Sequence, residues 1–187
     1  MKVFGKNVLK ETKLNDIRKV YTSRIEIIEY CEKNNIKYEK VTNDYLNKLV
    51  KGNHQGIVID VNDYKYYSLN DIEGDFLVIL DHLEDPHNLG AILRTCDAIG
   101  VDGVIIGKNR SVGLNGTVAK VSTGAIDHVK VAQVTNLTRT LEDLKKRSFW
   151  VVGCDLDNAQ DYRQVDYNMP LVIVIGSEGF GISRLVK

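Results

Sequence analysis

The 187-residue sequence is short of cysteine and carries no surplus of either charge, and each shortage removes a class of protein. Its three cysteines, Cys31, Cys96 and Cys154, are an odd number, lie far apart and form no C-x-x-C pair. That argues against a disulfide framework and against a thiolate metal site, and reads as reduced core thiols. Lys and Arg number 25 and Asp and Glu 25, so the whole chain has no general polyanion-binding signature. No apolar run approaches the roughly 20 residues that cross a bilayer, and Met1-Lys-Val-Phe-Gly-Lys is too short and too polar for a signal peptide. A cytoplasmic location with no membrane partner is expected. The histidines His54, His82, His87 and His128 form no H-E-x-x-H or similar ligand spacing, so no metal is expected. Ser122 has no readable His/Asp partners, which leaves a serine hydrolase unsupported. No repeat or low-complexity tract occurs.

What remains is a globular chain, 43% hydrophobic, long enough for one large or two small domains. Charge is uneven along it. Residues 1–51 hold twelve Lys or Arg against seven Asp or Glu, whereas residues 73–187 hold twelve against fifteen. The first part alternates helices and strands: a short helix near Asn7 to Thr12, an extended piece Arg18 to Thr22, a helix capped by Ser23 with Ile25, Ile28 and Cys31 on one side, a helix Tyr45 to Val50 capped by Asn43, and a strand Ile57 to Val61. Asn62 to Asp75 is rich in polar turn residues and reads as a linker. Beyond it the pattern predicts strand Phe76–Leu80, helix Asn88–Ile99 closed by Gly100, strand Gly103–Ile106, a glycine-rich stretch, strand Val129–Val131, helix Thr138–Lys146, and strands Phe149–Val152 and Leu171–Ile175. Alternating strands and helices imply an α/β fold with a mainly parallel sheet and helices on both faces. We read residues 1–70 and 71–187 as two domains.

Two segments carry the chemistry. Phe76 to Leu80 and Leu171 to Ile175 are apolar runs of the buried parallel-strand type, and each breaks into a polar loop at its carboxyl end, where open α/β sheets bind ligands. The first continues through Asp85-Pro86-His87-Asn88-Leu89-Gly90 to Arg94, the second through Gly176-Ser177-Glu178-Gly179 to Gly181. Leu89, Ile92, Leu93, Cys96 and Ile99 form a stripe that packs on the sheet, while Gly90 and Arg94, four apart, share another face. Read singly, Arg94 is a surface arginine pairing with Asp97 or another carboxylate, Asn88 a helix cap, and Glu178 a cap for a helix starting near Ile182. A dinucleotide-binding reading fails: Gly176-x-x-Gly-x-Gly181 reverses the G-x-G-x-x-G spacing and stands at the end of the sheet.

Together these segments resemble the SpoU (TrmH-like) family of knotted RNA ribose 2′-O-methyltransferases, whose first motif has an Asn-x-Gly-x-x-x-Arg core (Asn88, Gly90, Arg94) and whose second has a Gly-x-Glu-Gly loop (Gly176, Ser177, Glu178, Gly179). Ser122-Thr-Gly-Ala125, His54-Gln-Gly-Ile57 and Val3-Phe-Gly-Lys-Asn7 extend the resemblance over nearly the whole chain. It implies a SPOUT-type domain preceded by a small RNA-binding domain, S-adenosylmethionine as cofactor, a homodimer, and an RNA substrate. His54-Gln-Gly-Ile57 resembles the branch that acts on large-subunit ribosomal RNA, with transfer RNA or a non-catalytic RNA-binding role as alternatives. By the same resemblance Arg94, Asn88 and Glu178 are catalytic, and Gly176, Ser177, Glu178 and Gly179 meet the cofactor. The family's arginine is held to activate the hydroxyl; because a guanidinium stays protonated above pH ~12, an electrostatic clamp on phosphate or alkoxide is the other role open to Arg94. A third family motif, which would complete the trefoil knot, is expected beyond Lys187, so the domain reads as carboxyl-terminally truncated.

Overall fold

A computed structural model describes residues 1–5, 7–157 and 159–187, with the Glu11 side chain outside that description; Lys6 of the opening segment falls outside it as well. The chain forms two compact units, Met1–Tyr64 and Lys65–Lys187.

The first unit comprises β1 (Lys2–Phe4), α1 (Val8–Glu11), β2 (Ile17–Thr22), α2 (Ile25–Lys33), β3 (Tyr38–Lys40), α3 (Asn43–Leu49) and β4 (Ile57–Val61). Its sheet runs β1-β4-β2-β3, with β4 antiparallel to both β1 and β2, and β2 parallel to β3. Val20, Cys31, Ile57 and Ile59 form a core in which α2 covers the sheet. Ser23 does not cap α2: Thr22 Oγ1 accepts from Arg24 N, and the Ser23 hydroxyl donates to Asn43. Thr42 Oγ1, one residue before Asn43, caps α3 through Tyr45 N.

The second unit comprises β5 (Phe76–Leu80), α4 (Pro86–Ile99), β6 (Gly103–Gly107), α5 (Gly116–Val121), β7 (Lys130–Val134), α6 (Leu137–Lys146), β8 (Trp150–Cys154) and β9 (Leu171–Ile175). Its sheet runs β7-β6-β5-β9-β8 and is parallel throughout. Alternate residues of β5 point to opposite faces, as the two-residue period of a strand requires. Val78 and Leu80 meet Leu89, Leu93 and Cys96 of α4 and Val118 of α5. Leu77 and Ile79 join a second layer with Leu141 and Leu144 of α6. The α/β architecture expected from the sequence, parallel and covered on both faces, is the one observed.

Local differences have long-range causes. The division between units falls inside the polar stretch Asn62–Asp75, but its later part packs into the second unit: Tyr67 N donates to Val131 O, the Tyr66 hydroxyl accepts from Leu114 N, and Ile72 is buried. The glycine-rich stretch contains α5, started by Asn115, whose Oδ1 accepts from Thr117 N and Val118 N. Residues 182–187 form turns, with Val186 N and Lys187 N both donating to Ser183 O, so no α-helix begins at Ile182.

Candidate active site

The site lies where β5 and β9 end side by side. Leu80 is the register partner of Ile175, and Asp81 N donates to Ile175 O at 2.8 Å. After β5 the chain turns into α4, whose cap is Asp85, its Oδ1 accepting from His87 N at 2.8 Å, with Pro86 at the first helical position. That pair fits the start of a helix, since Pro has no amide to leave orphaned there. Asn88 is therefore not the cap. Its side-chain amide donates to Glu178 Oε1 at 2.7 Å, joining the two glycine-bearing segments across ninety positions of sequence.

The loop after β9 is closed on itself. Ser177 and Gly181 exchange both backbone hydrogen bonds, at 3.0 and 2.9 Å, and Ser177 Oγ accepts from Phe180 N. Gly176 makes this possible: a Cβ there would fall 2.0 Å from Gly181 C and 2.2 Å from Ile182 N, contacts no side chain survives. Gly179 faces open space, and Gly181 takes φ +66°, a left-handed angle suited to glycine. Glu178, carried at the rim, reaches Asn88 rather than capping a following helix.

Gly90 is buried, and its face turns toward α5, not toward the loop. A Cβ on Gly90 would lie 2.7 Å from Val121 Cβ and 3.1 Å from Val118 O, so the glycine lets the two helices touch. Arg94, one turn on, is exposed and makes no hydrogen bond or ion pair with the described residues. Asp97 Oδ2 instead faces His128 Nδ1 at 3.3 Å. Asn88 and Glu178 are thus brought together, while Arg94 stands six residues further along α4, roughly 9 Å at ~1.5 Å per residue, with its guanidinium free.

Sequence reasoning passed over two neighbours. Asp81 is fully buried, and its Oδ2 accepts from Ser183 N at 2.6 Å, holding the chain just past the loop. Its Oδ1 lies 2.6 Å from Nδ1 of His82, which sits at φ 56°. The signal available beforehand was an aspartate directly after an apolar strand, a place where a carboxylate is buried only if paired. Beside the site, Trp150, Val152, Cys154, Asp155, Tyr162 and Ile173 border a groove of about 520 Å³. Lys187 Nζ lies 2.7 Å from Asp155 Oδ2, and this hydrogen bond holds the Asp155 carboxyl below its ordinary range. Among the described residues no group of His, Cys, Asp and Glu could hold a metal ion.

His54-Gln-Gly-Ile57 serves the first unit structurally. His54 is buried, with Nδ1 accepting from Gly56 N and Nε2 facing Asn47 Oδ1, both at 3.0 Å, while Thr22 Oγ1 donates to Gly56 O at 2.7 Å.

A parallel α/β unit with two loops knitted at adjoining strand ends is the architecture of a ligand-binding enzyme domain. Residues 75–187 match the model of the SpoU rRNA Methylase family, and residues 2–67 match the model for RNA 2'-O ribose methyltransferase substrate binding. YacO of Bacillus subtilis (strain 168), named a TrmH family tRNA/rRNA methyltransferase, is 48% identical over 99% of this chain and 81% of its own length. A Staphylococcus aureus (strain COL) relative of the same family name is 50% identical over 87% of this chain and 68% of its own. The crystal structure of an AdoMet-bound rRNA methyltransferase from Sinorhizobium meliloti matches 97% of this chain and 72% of that one, with 25% identity and a TM-score of 0.64. The SpoU methyltransferase AviRb from Streptomyces viridochromogenes shares the fold at a TM-score of 0.67 and 20% identity, over 98% of this chain and 75% of its own. The chain belongs to the SpoU rRNA methylase family and is an RNA methyltransferase of the TrmH/SpoU type.

Proposed function

We propose that the protein transfers a methyl group from S-adenosylmethionine to a ribose 2′-oxygen of large-subunit ribosomal RNA, acting as a cytoplasmic homodimer. The observation that carries this is the 2.7 Å hydrogen bond from Asn88 to Glu178, which unites the two family motifs at the carboxyl ends of adjoining strands. The surroundings fit the cofactor. Exposed carboxylate at Glu178 suits a cationic sulfonium, and the groove along β8 offers aromatic and aliphatic walls for a purine, with Asp155 at hand for a ribose hydroxyl. Gly176, Ser177, Glu178 and Gly179 would hold it, and bound there it supplies the electrophilic methyl. The chain's own side chains then have separate tasks. Glu178 is fixed by Asn88, which keeps an amide oxygen for the ribose. Arg94, with no partner among the described residues, is available to clamp a phosphate and stabilise the developing alkoxide.

Support for the ribose comes from the substrate-binding match over residues 2–67, whose description names the 2'-O ribose, and support for ribosomal RNA from the family description over residues 75–187. The relatives' joint tRNA/rRNA naming makes transfer RNA the second reading. Transfer of labelled methyl into total RNA, followed by nuclease mapping, tests both. We expect label on a 2′-O-methylated nucleoside of large-subunit RNA. Label on bases alone would overturn the ribose assignment, label on transfer RNA would move the substrate, and RNA binding without transfer would leave a non-catalytic module.

A further inference from the structure

We propose that the face of the first unit's sheet that carries Phe4, Lys19 and Tyr21, with Tyr45 of α3 beside it, is a stacking platform for unpaired nucleotides of the RNA substrate. The inference rests on the RNA reading of residues 2–67 and adds to it the face that binds and the form of RNA it takes.

Strand register decides which side chains share this face. Phe4 of β1 and Tyr21 of β2 are both partners of Val58 in β4, one from each side, so the three stand in a row across the sheet. Lys2 and Lys19 are likewise both partners of Asp60 and form a basic row two residues along. Val20, Ile57 and Ile59, which alternate with these residues, belong to the core under α2, so the two rows lie on the opposite side. There α3 adds Tyr45, whose ring centroid is 6.3 Å from that of Tyr21 with the planes at 38°. Lys19 Nζ stands 5.0 Å from the Tyr21 centroid, so a cation is held beside the aromatic row.

These rings are not there to fill a core. Phe4 is 39% exposed and Tyr45 41%, although Val58 between the strands and Leu46 next to Tyr45 are fully buried. Phe4 is also held in place, since a Cβ on Gly52 would fall 2.9 Å from its Cε2 and Cζ. An open ring offers a π-face on which any base can stack, and lysines beside it meet backbone phosphates, the combination with which proteins bind single strands. Bases of a duplex are already stacked on both sides, so such rings take unpaired nucleotides. The carboxylates of the face are engaged. Asp60 faces the Met1 amino group at 3.6 Å, and Glu39 accepts from Lys19 at 2.6 Å, an exposed ion pair weak enough for a phosphate to take the place of Glu39.

Fluorescence anisotropy of the whole chain with a labelled single-stranded RNA of about 12 nucleotides, within the usual site size, and with the same strand annealed to its complement tests this. We expect the single strand to bind at least ~5-fold tighter than the duplex, and Tyr45→Leu and Phe4→Leu each to weaken the single strand by ~5-fold or more. Tyr45→Phe should bind as the wild type does, because stacking uses the ring and not the hydroxyl. Tyr45 occupies an exposed helix position, so its variants should fold. Lys19→Gln should lower the slope of log affinity against log salt by ~0.7, while the leucine variants leave that slope unchanged. Leucine variants that hold the single strand as tightly as the wild type, or a duplex that binds as well as the single strand, would overturn the platform and leave RNA binding by the protein intact. Leucine variants that keep RNA affinity but lose a dimer in sedimentation would give the face to a second copy of the chain instead. A wild type that binds neither form would sink the RNA reading itself.

Discussion

At the residue scale, the two motifs divide into groups that build the loop and groups left free to act. Gly176, Ser177 and Gly181 are consumed in closing the loop, so substitutions there act through backbone collision. Arg94 is exposed and Asn88 half-buried, and neither belongs to the hydrophobic core. Arg94→Ala should therefore melt within a degree or two of wild type and keep cofactor affinity, yet lose turnover by ~10²-fold or more, the usual scale for a positioned polar group; Asn88→Ala should lose turnover on the same scale and, by freeing Glu178, bind the cofactor more weakly. Recovery of most activity in Arg94→Lys would mark Arg94 as a point charge; unchanged turnover in both alanine variants would remove them from the site. The cysteines give a second test. Burial in α4 pushes the Cys96 thiol up to about 11, and a thiol kept protonated by folding adds stability below its ordinary range and loses it as pH rises through 11. Exposed Cys154 should react with iodoacetamide at neutral pH, while Cys96 should resist until the solution nears pH 11 or the protein unfolds. Equal labelling of all three thiols in the native protein would contradict the packing described.

At the element scale, strands and the long helices were legible because their signals are local. Apolar runs gave β5 and β9, and a 3.6-residue stripe closed by Gly100, at φ 73°, gave α4. What escaped notice was decided by distant partners. The run 182–187 looks helical alone, but Asp81 takes Ser183 N from across the sheet and Lys187 turns back to Asp155 and Asp157. The segment is held as turns. Helix α5 hid in a glycine-rich stretch because its start depends on one asparagine, and its existence on a neighbour that comes close only because residue 90 lacks a side chain. Gly90→Ala should consequently destabilise the protein by about 1–3 kcal/mol, the range for overpacking a tight contact, despite alanine's better helix propensity. Thermal or urea melting would decide it, and a stabilised variant would show that α4 and α5 can part without cost.

At the scale of the whole molecule, the site was legible as two motifs but not as a geometry. Sequence placed Asn88, Arg94 and Glu178 in one site; the structure joins the first and last, and Arg94 has no partner among the described residues. It also draws in Asp81, which no spacing rule singled out and whose buried Oδ2 accepts from Ser183 N, because burial is a property of the folded chain. The division of labour between units is the remaining inference at this scale. Each unit has its own core, and the surplus of Lys and Arg lies in residues 1–51, whereas the loops of the site lie wholly in Lys65–Lys187. Neutralising a phosphate releases counterions, so the number of phosphates engaged appears as the slope of log affinity against log salt. Removing residues 1–64 should weaken RNA binding and flatten that slope by ~0.7–0.9 for each phosphate no longer neutralised, while affinity for S-adenosylmethionine stays within twofold. Filter binding of both forms across a salt series, beside calorimetric titration of the cofactor, measures the two quantities separately. An unchanged slope would place the RNA on the methyltransferase unit itself, where Arg94 and the other cations of residues 73–187 would have to neutralise every phosphate engaged.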